Sequence, residues 1–166
     1  MQHKLISGDN HIDLTYCPPD LWSADAPAKW KKNVPRVEER NDGQHWFVDD
    51  KDRGMWNGVG PGFLPYTKGS FGHVDEMKEA GFEWDSYPGA KPRPTTPELR
   101  IADLDRDGLE KEIIYGCLMI NDLIDEVELR VWSNARYNDW AADFARRSDP
   151  NRVFPLAIIP NTDPAA

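Results

Sequence analysis

Cysteine is scarce in this chain: there are 2, Cys17 and Cys117, far apart and without a CxxC partner. That spacing offers neither a zinc ribbon nor a disulfide framework, so two reduced thiols are expected. Positive charge is also in deficit, with 20 Lys and Arg against 29 Asp and Glu and a formal charge of −9. Nucleic acid and anionic membranes recruit clustered Lys and Arg to displace counterions, so neither is expected as the main partner. Long apolar runs are missing too. The opening MQHKLISGDNH lacks an apolar stretch of signal-peptide length, and no later segment approaches the length of a bilayer span. These absences lead to the expectation of a cytoplasmic protein.

What is present is the composition of a folded domain. Hydrophobic residues make up 39% and charged residues 30%, and 7 Trp accompany 6 Phe and 5 Tyr. That aromatic content is too high for a disordered chain, and 166 residues suit one core. Three short apolar runs, at 4–7, 112–118 (EIIYGCL) and 153–160 (VFPLAIIP), read as strands. The last two are almost wholly apolar, as strands of a parallel sheet covered on both faces would be.

Helical signals fall between these strands. Ile124, Val127, Val131, Ala135, Trp140 and Phe144 mark one buried face over about 122–147, with Asn121 or Asp122 as cap and Pro150 as stop. A shorter helix is expected over 97–107, because Thr95 or Thr96 can cap it, Pro97 fits its first position and Gly108 fits just past its end. The alternation of strand and helix predicts a parallel α/β sheet or barrel. Only the stretch 13–93 breaks the pattern. It holds most of the Pro and Gly and the tryptophans Trp22, Trp30, Trp46, Trp56 and Trp84, with no sustained period. Such an insertion after a barrel strand commonly forms the wall or lid of the active site.

The first strand runs into Gly8-Asp9-Asn10-His11. Alternate residues of a strand share a face, so Asp9 and His11 are expected to project together from its C-terminal end, the active-site face of a parallel barrel. A carboxylate beside an imidazole is the beginning of a divalent-metal site. Elsewhere, Asp103-Leu104-Asp105-Arg106-Asp107-Gly108 opens like a calcium loop, D-x-D-x-D-G. An EF-hand would continue with an apolar eighth and an acidic twelfth position, where this chain has Glu110 and Ile114. A non-catalytic calcium module on Asp103, Asp105 and Asp107 is the rival reading, against a plain helix end capped by Gly108. Gly58-Val59-Gly60-Pro61-Gly62 lacks the ending of a phosphate loop. His45 and His73 have no spacing partner and read as structural, and Cys17 as a passive thiol rather than a nucleophile.

Three stretches resemble the amidohydrolase superfamily, in the branch of the aminocarboxymuconate-semialdehyde decarboxylase-like enzymes. They are Ile6-Ser7-Gly8-Asp9-Asn10-His11 with Pro18-Pro19-Asp20-Leu21-Trp22, then Leu104-Asp105-Arg106-Asp107-Gly108, then Tyr137-Asn138-Asp139-Trp140 through Phe144, Pro150 and Arg152 to Ala157-Ile158-Ile159-Pro160. The resemblance implies an incomplete (β/α)8 barrel of the TIM type over residues 1–166, comprising its first three strands with the insertion 13–93 after strand 1. It implies a metal-dependent hydrolase or non-oxidative decarboxylase acting on a small, carboxylated or cyclic molecule, with Asp9 and His11 as metal ligands. Many members carry His-x-His where Asp9 stands here, and the carboxylate shifts the expected ion from zinc toward manganese. The remaining ligands of the family come from later strands, so the chain is expected to be a fragment, homo-oligomeric in its full-length form. Arg53, Trp56 and Tyr66 are candidate substrate-binding residues of the excursion, a cation with aromatic walls.

Overall fold

A computed structural model describes residues 4–56 and 96–160. Three parallel strands form one sheet: β1 (Leu5–His11), β5 (Leu109–Tyr115) and β6 (Val153–Pro155), in the spatial order β1-β5-β6. Each strand is added beside its predecessor in the same direction, as in a sheet wound one way only. The helices that make the crossovers are α1 (Pro97–Arg106), which packs on β5, and α3 (Val127–Ser148), which packs on β6 and on α1.

The short helix is built by the local signals that predict it. Thr96 Oγ1 accepts the N–H of Leu99 at 3.3 Å, Pro97 opens the first turn, and Gly108 follows the end at φ +68°. A left-handed residue just past a helix end is where glycine has no steric cost. Arg152 closes the far end of the sheet by donating to the carbonyls of Glu110 and Leu109 and to Asp105 Oδ1 at 2.7 Å.

Several bounds differ from expectation: the strands expected at 4–7, 112–118 and 153–160 run over Leu5–His11, Leu109–Tyr115 and Val153–Pro155. The long helix does not begin at Asn121 or Asp122: a one-turn helix, α2 (Ile120–Leu123), precedes a break, and α3 starts after Glu126. Arg130 holds the break open by donating to the Ile124 carbonyl at 2.9 and 2.7 Å. The buried face runs across it because Ile124 and Leu129 are both fully buried. The sheet, moreover, is buried on one face rather than two. Glu112, Ile114 and Val153 face the helices and are buried, whereas Tyr115 and Phe154 are exposed on the other side. An apolar strand sequence is compatible with either arrangement, since sequence alone does not say which face a covering layer reaches.

The excursion contains a second sheet that its sequence did not announce. Strands β2 (Arg36–Arg40), β3 (Gly43–Val48) and β4 (Lys51–Met55) form an antiparallel meander. Trp46, Phe47 and Val48 are buried in succession instead of alternating, because the β3–β4 register shifts between Trp46 and Phe47. The Arg36 and Arg40 guanidinium groups cover the Phe47 ring at 5.4 and 4.4 Å from its centroid. Asp49 and Asp50 make the tight turn from β3 to β4, both at positive φ (53° and 56°), the conformation a two-residue hairpin requires. His45 is bound by Asp52, whose oxygens lie 2.9 and 3.1 Å from Nδ1, with Asp42 at 3.2 Å from Nε2. The structural reading of this histidine fits that placement.

Tryptophans fasten the excursion to the helices. Trp22 Nε1 donates to the Ser133 carbonyl at 2.9 Å, Trp30 Nε1 donates to Glu126 Oε1 at 2.9 Å, and Trp22 meets Trp46 edge-on at 6.0 Å. The two hydrogen bonds fall on Glu126, at the start of α3, and on the first half of α3, in the segment that follows the C-terminal end of β5. The excursion itself follows the C-terminal end of β1. Both therefore gather at the same end of the sheet.

Two measurements check this description. A Cβ at Gly116 would stand 2.6 Å from the ring of the fully buried Tyr137, so Gly116→Ala should destabilise by about 1–3 kcal/mol through overpacking. Denaturant unfolding reads this, and an unchanged midpoint would contradict the packing. The hydrogen bond from His45 holds the Asp52 carboxyl below its usual range. Its contribution is present above the unfolded carboxylate pKa and is lost as pH falls through the lower folded value. Carbon-13 titration should find Asp52 still ionised when exposed aspartates have protonated, and His45→Ala should narrow that difference, with the Gly54 N–H and Arg40 left to sustain the rest.

Candidate functional site

Asp9 and His11 occupy the C-terminal end of β1, where their side chains are exposed and His11 Nε2 lies 3.3 Å from Asp9 Oδ1. Alternation puts Asp9 and His11 on one face, and an irregularity before them decides which face that is. Ser7 pairs with Glu112 and Asn10 with Ile114, so β1 carries one extra residue at Gly8-Asp9, a bulge. Bulges re-aim side chains and recur beside active sites. Here Ser7 and Asn10 turn to the same side, with Ser7 Oγ donating to Asn10 Oδ1 at 2.9 Å. Asp9 and His11 are left on the open side.

Beneath them lies a polar network that sequence reasoning missed. Glu112 is fully buried, and Arg100 from α1 grips it with two bonds, Nε to Oε1 at 2.7 Å and Nη2 to Oε2 at 2.5 Å. Asn10 Nδ2 donates to the same Glu112 Oε2. Arg100 Nη1 donates to the carbonyl of His11 at 3.3 Å. One charged fork thus ties α1, β5 and the end of β1 together. Its signal in the sequence was Glu112 at the head of the apolar run 112–118, since a buried carboxylate demands a cation.

Further groups surround the corner. The His11 ring stacks on Tyr115 with centroids 5.8 Å apart and planes at 26°. Asp13 Oδ1 stands 3.9 Å from His11 Nδ1; burial pushes the Asp13 carboxyl up, and His11 opposes the shift. Tyr16 is pushed up to about 12, first by burial and then by the charge of Asp13. Cys17 and Cys117 are both free and buried, and burial raises each thiol. A protonated, enclosed thiol is a poor nucleophile, in keeping with the passive reading.

The other candidates lie elsewhere. Arg53, on β4, donates to the Leu123 carbonyl at 3.3 Å, and Trp56 is buried with its backbone N–H on the Gln44 carbonyl. Their bonds run to α2 and β3. Tyr66, His73, Trp84 and the glycines at 58, 60 and 62 fall outside the described residues. The calcium reading is overturned: Asp103 and Asp105 are on helix α1, Asp107 caps it, and Arg106 and Arg152 bind Asp103 and Asp105 at 2.7 Å each. Helical rise separates carboxylates that a calcium loop would converge. Among the described residues, no three His, Cys, Asp or Glu side chains are grouped to hold a metal ion.

As a donor set, Asp9 and His11 fit a divalent cation, one hard oxygen and one borderline nitrogen on a common face. They supply two donors.

Comparison with known proteins adds the fold. No protein-family profile matches the sequence, and no curated relative matches it. A solved structure of an amidohydrolase from Mycobacterium avium subsp. paratuberculosis K-10 superposes with a TM-score of 0.62 at 17% identity, covering 96% of this chain and 43% of that one. The fold is amidohydrolase-like. The chain spans less than half the length of that amidohydrolase. Among the described residues, no helix is long and apolar enough to cross a membrane.

The fork carries a direct prediction. Removing one member strands a charge where water does not reach, so Arg100→Ala should cost about 3–5 kcal/mol. A double replacement by apolar side chains of similar volume, Arg100→Met with Glu112→Met, should cost much less. Denaturant unfolding of the three proteins distinguishes them; equal losses would mean the pair is not buried as described.

Proposed function

We propose that this chain is part of a metal-dependent hydrolase or non-oxidative decarboxylase of the aminocarboxymuconate-semialdehyde decarboxylase-like branch, and that Asp9 and His11 are two ligands of its single divalent ion, manganese or zinc. The observation that carries the reading is the convergence of an exposed carboxylate and imidazole at the C-terminal end of the first parallel strand. That end of the strands is where barrels of this kind place their chemistry. The amidohydrolase-like fold supports it.

In this reading the sheet is the start of a (β/α)8 barrel, and the missing donors come from other β/α units. When bound, the ion supplies Lewis acidity toward a carbonyl or carboxylate oxygen. The chain's own residues bind and orient. Asp9 and His11 would hold the ion, Tyr115 stacks on the imidazole, and the Asp13 carboxylate lies 3.9 Å from His11 Nδ1 on the other side of the ring. The excursion supplies a wall of the substrate site, and Arg53, Trp56 and Tyr66 are its candidates for meeting a small carboxylated or cyclic molecule. The whole protein works in the cytoplasm as a homo-oligomer.

Calorimetric titration with Mn²⁺ tests the ligand assignment. Two protein donors leave most of the coordination sphere to water, so binding to the chain alone should be weak, and Asp9→Asn with His11→Ala should abolish it. Binding that survives the double substitution would place the metal elsewhere, and a tight stoichiometric site would show that further donors lie within this chain.

A further inference from the structure

The Arg100–Glu112 pair is an unusual thing to find between a helix and a strand of an otherwise apolar layer. Both side chains are almost without solvent contact, at 7% and 0% exposure. Ion pairs so enclosed lose about as much hydration as they recover in attraction, and a well-packed apolar pair of the same volume would serve the core equally well. Stability therefore does not account for the choice. Direction does. Among the described residues, two side-chain contacts of this pair leave the helix–strand layer, and both go to the end of β1: Glu112 accepts from Asn10, and Arg100 donates to the His11 carbonyl. Asn10 lies between Asp9 and His11 in sequence, directly after the bulge that turns them to one side. An extra residue in a strand leaves backbone groups without their ladder partners, and such a segment has more than one way to lie. The fork takes hold of it at its side chain and at its carbonyl.

The geometry points to Arg100 and Glu112 as positioning residues of the candidate metal site: they act through Asn10 and the His11 carbonyl to keep the Asp9 carboxylate and the His11 imidazole convergent before any ion arrives. This rests on the reading of Asp9 and His11 as metal ligands. Groups that orient ligands in this way are worth about 10–100-fold in metal affinity. Neither residue touches the ion, so the effect is on affinity and not on the identity of the donors.

Paramagnetic broadening of backbone amide signals by Mn²⁺, followed through a titration of the full chain, gives the test. In the unaltered protein, broadening should centre on residues 9 to 11. Arg100→Met with Glu112→Met preserves the volume and removes the fork; Asn10→Ala removes the link from Glu112 to β1 together with the Ser7 Oγ bond to Asn10 Oδ1. Each should need about tenfold or more Mn²⁺ for the same broadening, with cooperative unfolding retained. Ser7→Ala, which removes the second bond alone, should titrate like the parent. Asn33→Ala, which breaks a 2.8 Å bond to Asp49 in the distant meander, should lower stability and leave the titration unchanged. If the double replacement does not fold, Asn10→Ala read against Ser7→Ala decides. A folded double replacement or Asn10→Ala protein that titrates like the parent would overturn the positioning role and leave the ligand assignment standing. Absence of broadening at residues 9 to 11 in the parent would overturn the ligand assignment, and the positioning role with it.

Discussion

A guanidinium and a carboxylate closed off from water hold the mouth of this sheet together. Arg100 reaches across from α1 to Glu112 on β5, and the bonds left over from that union secure the end of β1. Everything at the candidate site follows from this placement. Without a fixed Asn10 the bulge would have no defined direction, and without a fixed His11 carbonyl the imidazole could swing away from Asp9. The network also explains why Glu112 stands on the buried face of β5. It is directed at specificity of geometry, where an apolar pair would give packing alone.

Around that fixed point the chain arranges two different surfaces. On the helix side the sheet is covered, and Ile114, Val153, Leu104, Tyr137 and Phe144 form its core. On the other side Ile6, Tyr115 and Phe154 meet solvent, in line with Asp9 and His11. In a barrel, that second face is the interior, filled by side chains from every strand. The excursion joins this end of the sheet, fastened through Trp22 to α3, through Trp30 to Glu126 at the start of α3 and through Arg53 to α2. An insertion held by buried indole N–H bonds is a wall rather than a tether.

What could be read from sequence was what is encoded locally. Thr96, Pro97 and Gly108 delimit α1 because caps act within one helical turn. Asp9 and His11 were legible because a D-x-H step at a strand end is a short pattern. The features missed are those that depend on two segments meeting. The bulge exists only in relation to β5, and the Arg100–Glu112 fork is a contact between elements that flank a turn. The three buried residues in succession at 46–48 broke the period that marks a strand. Even so, Asn41-Asp42-Gly43 and Asp49-Asp50 were turn signals on either side of that run, and weighing them would have found the hairpins. The break before α3 was hidden because Ile124 and Leu129 keep the same face on both sides of it.

The central claim is that Asp9 and His11 form two donors of a metal site whose direction is set from below. Anomalous diffraction from crystals soaked in Mn²⁺ addresses it most directly. The account predicts one peak in the manganese anomalous map, bridging the Asp9 carboxylate and the His11 imidazole at the C-terminal end of β1. A map with no peak there, or with the ion held by the acidic end of α1 instead, would contradict it.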